Sequence, residues 1–263
     1  MGDVQQPSYQ YDEITVLVDR LLSAINTAAA NDRREANLLL SSDILAVLPC
    51  PTRVARAAIA ADLQRAVNAA TAAWRQIGNS HRWLRASEKS PAALQVAHGQ
   101  WEVAAESSSQ VLTGSADVDR ATRQGTWSGS SAEGQQDVSG QLVVADEGLA
   151  AATQRVRVAC EDASRLGAWI MDKAGAMVQA AEVDATSIAS WGIQGGSSLF
   201  SLNRRTKAVA QRLDRLAAEY ARHHQGGEWR DTSVAIGRRF SAAQSDVLAY
   251  RAAAGGALAY RAV

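Results

Sequence analysis

The stretch RQGTWSGSSAEGQQ, Arg123–Gln136, sets a tryptophan among glycines and serines between two long alanine-rich runs. Upstream, Leu94, Ala97, Trp101, Ala104, Ser108, Val111, Ser115, Val118 and Thr122 recur by alternating threes and fours, the spacing of one narrow helical seam. Downstream the rhythm resumes at Val138, Leu142, Ala145, Leu149, Ala152, Val156, Ala159, Ala163, Leu166 and Ile170. Gly125 is placed to end the first helix. Ser130 and Glu133 form the S-x-x-E arrangement that satisfies the orphan amides of a new one. Residues 91–175 therefore read as an antiparallel helical hairpin bent at Trp127, with Trp101 and Leu149 inside its seam.

The flanking chain carries the same periodicity. Ile14, Val18, Leu21, Ile25 and Ala28 predict an amphipathic helix over about 11–30, and a second short helix follows from Asn31 and stops before Pro49. Thr52 opens a helix with the stripe Ile59, Leu63, Ala66, Ala70, Trp74 and Ile77. Gly78 and Asn79 mark its end, and a polar link runs to Pro91. After the linker SWGIQGGSSLFS, Val209, Leu213, Leu216 and Tyr220 precede HHQGGEW, and Ile236, Phe240, Ala243, Val247 and Tyr250 follow it. Trp229 in that second turn echoes Trp127, with Asp231 where the earlier turn has Gly129. The expected fold is all-α: an elongated bundle of antiparallel hairpins, with N-terminal helices over 1–80, the central hairpin over 91–175 and a C-terminal hairpin, a degenerate repeat, over 197–263.

Composition agrees with helices. Of 263 residues 47% are apolar, alanine being the commonest, and only two are phenylalanine. The formal charge is zero, so no overall basic surplus advertises nucleic acid or an anionic membrane. Cys50 and Cys160 lack the spacing of a metal site or a disulfide framework. The N-terminus MGDVQQPSYQYDE lacks the features of a secretory signal, and charged residues or Gln interrupt every candidate membrane span.

Trp127, Ser128 and Gly129, at the tip of an α-hairpin, resemble the Trp-x-Gly turn of the WXG family of small helical proteins exported by type VII (Esx) secretion. The resemblance covers about residues 91–175. It implies a non-enzymatic interaction protein, a component or secreted substrate of such a system, whose partner is another helical-hairpin protein or the secretion machinery. It implies partner recognition at Trp127 and Gly129, with Trp229 as the echoing position, and either signal-peptide-independent export or residence in the cytoplasm. The family's Tyr-x-x-x-acid export element occurs here only at Tyr9 and Glu13, far from the hairpin's end.

No recognisable catalytic constellation emerges. His223 and His224 are adjacent and point about 100° apart on a helix, so they read as solvated helix-end residues rather than metal ligands. His81 and His98 read as solitary. GIQGG lacks the strand and lysine of a phosphate cradle. No cofactor, metal or small-molecule substrate is implied. Arg204, Arg205, Arg212, Arg215, Arg238 and Arg239 leave open a cytoplasmic adapter with a nucleic-acid-binding C-terminal part, although solvated helix faces account for them better. A delivery module for a toxin is a third reading.

Overall fold

The computed structural model describes residues 7–41, 52–88, 90–125, 128–192, 202–225 and 227–259. Among them it forms six α-helices and no strand: α1 (Tyr11–Ser41), α2 (Thr52–Glu88), α3 (Ser90–Gln124), α4 (Ser130–Ala189), α5 (Arg204–Gln225) and α6 (Glu228–Ala259). The chain is all-α, as its periodicity predicts. Contacts divide it into two compact units. One comprises Lys89–Gly167 with Arg230–Val263, here the hairpin unit; the other comprises Gln6–Glu88 with Ala168–Trp229, here the bundle unit. This division cuts across the sequence segments 1–80, 91–175 and 197–263: α5 packs in the bundle unit, whereas α6 from Arg230 onward packs in the hairpin unit.

In the bundle unit α1 begins with Glu13 accepting the amide of Gln10 at 2.9 Å, which satisfies one orphan donor of the first turn. Its apolar stripe Ile14, Val18, Leu21, Ile25 and Ala28 is buried, as expected. The helix does not end near Ala30. Asn31, Asp32 and Glu35 stay helical because tertiary partners take their polar groups: Asn31 donates to the carbonyl of Ala189 at 2.9 Å, and the two acids reach Arg205. Nor does α2 stop at Gly78. Its stripe continues from Ile77 to His81 and Leu84, all buried, so packing overrides the local stop signal. Trp74 donates its indole N–H to the carbonyl of Val18 at 2.9 Å, and Thr15 meets His81 at 2.9 Å, which sets α1 and α2 antiparallel. The stripe Val209, Leu213, Leu216 and Tyr220 of α5 is fully buried. The last third of α4 presents Met171, Ala174, Val178, Ala181 and Ala185 to the same core. Arg212 pairs with Asp184 at 2.8 Å and binds α5 to α4. Tyr9 lies over Gly175, where any Cβ would collide with its ring.

The hairpin unit is assembled from smaller side chains. Ser139 donates to Asp119 at 2.8 Å, Ser115 to Asp146, and Ser164 to the carbonyl of Pro91 at 3.0 Å, so α3 and α4 run antiparallel. Hydrogen bonds from Arg123 and then Ser139 hold the Asp119 carboxyl below its ordinary pKa. Ala145, Ala152, Ala159 and Ser164 are buried along α4. The expected α3 seam needs correction. Trp101 stands 36% exposed, and Val111 and Val118 are 52% and 58% exposed. Ala104, Ser108, Ser115 and Thr122 of the expected seam stay covered, whereas at the alternating positions the cover falls on Leu112 and Asp119, one residue on from Val111 and Val118. The third helix of this unit is α6, joined to α4 by Arg155–Asp246 and Arg239–Asp162 ion pairs.

Candidate functional site

The bend between α3 and α4 is the first candidate. α3 ends at Gln124 with Gly125 next, as expected. Trp127 lies outside the described residues. Gly129 has φ +108°, a conformation that costs glycine little and strains other residues, and the space around its α-carbon is open. Its carbonyl accepts the amides of Ala132 and Glu133 at 3.0 and 3.1 Å. Gly129, rather than Ser130, is thus the residue that starts α4. Ser130 already lies inside the helix, and the Glu133 amide expected to bond its hydroxyl takes this carbonyl instead. The turn is built by backbone and leaves Gly129 exposed.

The second turn repeats the backbone device but not the position of the tryptophan. Gly227 has φ +92° just before α6, as Gly129 precedes α4. Trp127, however, lies two residues before its glycine, whereas Trp229 lies two after, in the first turn of α6. Trp229 is 4% exposed. His223 stacks on it at 5.0 Å between ring centroids, and Trp169 meets it edge-on at 6.0 Å. His223 is therefore a half-buried packing residue rather than a solvated helix end. The faces of Trp229 are engaged within the chain.

The tightest polar cluster joins α1 to α5 inside the bundle unit. The guanidinium of Arg205 donates to Asp32 at 2.9 Å and to Glu35, and through Nε to the carbonyl of Trp191 at 2.7 Å. The second oxygen of Asp32 accepts the Thr206 amide and hydroxyl, each at 2.8 Å. All four side-chain partners are buried. Burial opposes the charge on Arg205, but hydrogen bonds to Glu35 and Asp32 outweigh it and hold its pKa above the ordinary value. Arg205 is thus no solvated or nucleic-acid-facing cation. A signal for this existed: Asp32 and Glu35 continue the four-three spacing of Ile25 and Ala28, so both acids fall on the buried stripe.

The histidines also differ from expectation. His81 is buried, stacked on Tyr11 at 4.4 Å and hydrogen-bonded to Thr15, and burial lowers its pKa to about 4. It is neutral at pH 7. His98 stands 3.7 Å from Glu161 and 3.4 Å from Arg157. Neither is solitary. Among the described residues no group of His, Cys, Asp and Glu could hold a metal ion, and no helix is long and apolar enough to cross a membrane. Comparison of the chain with protein-family models, with curated proteins and with solved structures found no match in any of the three.

Proposed function

We propose that this chain is a non-enzymatic helical interaction protein, and that its central hairpin serves as a WXG-like recognition element of a type VII (Esx) secretion system, as a component or a secreted substrate. The observation that carries the reading is the bend at Gly129. Two helices that run antiparallel for more than thirty residues each meet at a turn whose sequence is Trp127-Ser128-Gly129 and whose glycine needs a positive φ. Recognition is assigned to Trp127 and Gly129 at this tip. Trp229, enclosed by His223 and Trp169, supports its own unit first. Three of the six arginines that the nucleic-acid alternative invoked have acidic partners within the chain: Arg205 is buried with two acids, Arg212 pairs with Asp184, and Arg239 pairs with Asp162.

The test is export in the native cell. The tagged chain is followed in culture medium and cell pellet, with and without the ATPase of the type VII system, and as Trp127→Ala. Loss of the extracellular chain on removing the ATPase, together with reduced export of the variant, supports the reading. Retention in the pellet of the intact strain, or export indifferent to the ATPase, removes it.

A further inference from the structure

In the bundle unit a groove of ≈ 520 Å³ runs between the second half of α1 and the first half of α2. Its floor is apolar: Ala29, Ala36 and Leu40 come from α1, and Ile59, Leu63 and Val67 from α2. These positions step by threes and fours on both helices, so two parallel stripes flank one channel. At 1.5 Å per residue the lined segment from Arg56 to Val67 spans about 16 Å, the length of some three helical turns. Two helical stripes separated by a trough seat the ridge of a third helix.

Among the described residues the rim carries a charge with no acidic counterpart. Arg33 and Arg56 line the groove, and Arg34 borders the concavity that continues from it past Leu38. Among the described residues none of these three has a carboxylate partner; Arg34 reaches only Asn31, and Arg56 only the carbonyl of Leu40. Eight other arginines pair with acids, Arg65, Arg120, Arg123, Arg155, Arg165, Arg205, Arg212 and Arg239, whereas among the described residues Arg20, Arg75, Arg215 and Arg238 do not. The neighbouring acids of α1, Asp32 and Glu35, are turned inward to Arg205 and cannot neutralise this rim. Apolar floor and cationic edges together define a complement.

We propose that the α1–α2 groove is a second docking site, distinct from the Trp127 turn, and that its occupant is an acidic amphipathic helix of a partner protein. The partner lays an apolar i, i+3, i+4, i+7 face on the floor and sets Asp or Glu on its flanks against Arg33 and Arg56.

The test is selection on the intact chain from a display library of 14-residue helical peptides, with leucine fixed along one stripe and the flanks randomised. Enrichment of Asp and Glu at the flanks is expected. Binding of the winners should weaken about tenfold for Arg33→Ala/Arg56→Ala and should be blocked by Ala60→Trp in the channel, while circular dichroism shows both variants folded. Arg33→Glu/Arg56→Glu should shift the same selection to Lys and Arg. No enrichment, flanks without acidic preference, or winners indifferent to these variants would overturn the proposal. So would binding of laurate in the groove with no peptide selected, which would make it a lipid site.

Discussion

The two units use one periodicity to make interiors of different substance. In the bundle unit the three-four stripes bury Ile14, Leu21, Ile25, Ile77, Leu84, Met171, Leu213, Leu216 and Tyr220 to 1% exposure or less. In the hairpin unit the corresponding stripes bury Ala145, Ala152 and Ala159, with Ser108, Ser139, Thr153 and Ser164 among them, while Val96, Val103, Val111 and Val118 of α3 face solvent. Alanine and serine let helices approach closely, but each buried leucine removes about three more methylene-sized groups from water, at roughly 0.8 kcal/mol apiece. Spacing alone therefore sets which face packs, and side-chain size sets how firmly. The hairpin unit, held more by hydrogen bonds and ion pairs, should open at lower denaturant than the bundle unit.

The largest test of that contrast is Arg205→Ala, which leaves Asp32 and Glu35 buried with their cation gone. Chemical denaturation followed by fluorescence should show the bundle unit losing about 3–5 kcal/mol. A loss under 1 kcal/mol would mean that water reaches the cluster. Next come paired truncations in the two interiors: Leu213→Ala, at 0% exposure, should cost about 2–5 kcal/mol, whereas Trp101→Ala, at 36%, should cost less than about 1.5. Equal costs would erase the distinction between the units.

His81 gives an intermediate effect with a defined sign. Its folded pKa of about 4 lies below the ordinary histidine value of 6.5, so below pH 6.5 the unfolded chain takes up the proton first. Stability is full above that value and falls as pH drops toward 4, by roughly 2–3 kcal/mol. His81→Phe should flatten this part of the stability profile, and a profile unchanged by the substitution would assign the acid sensitivity elsewhere. Smallest is Gly129→Ala, expected to destabilise the α3–α4 bend by about 1 kcal/mol through its positive φ alone, since the site is otherwise open. A larger loss in hydrogen-exchange protection around the bend would reveal packing at the turn.

Much of the architecture was legible because three-four spacing is a one-dimensional record of burial. The stripes of α1 and α5 were read residue for residue, and so was the end of α3 at Gly125. What failed had a tertiary cause. Asn31 and Gly78 are local stop signals, yet partners elsewhere in the fold keep both segments helical. In α3 the seven-residue set Ser108, Ser115 and Thr122 was read rightly, but its alternate set was placed at Val111 and Val118, where Leu112 and Asp119 are the covered residues. At the candidate site the glycine turn could be read, since a positive φ has a residue signature, but the enclosure of Trp229 could not, because Trp169 lies sixty positions away. Of the C-terminal arginines, Arg205 was misread as surface charge because its acids come from a distant helix, whereas Arg215 and Arg238 are exposed as expected.

That distance matters while the chain is being made. Asp32 leaves the ribosome 173 residues ahead of Arg205, a delay on the order of 10–30 s at ordinary synthesis rates. Throughout it α1 carries two acids on the face that must later be buried, without the arginine that pairs with them in the finished fold. The bundle unit is consequently a late-closing structure, whose N-terminal segment stays open to unfolding, chaperones or threading until the final third of the chain arrives.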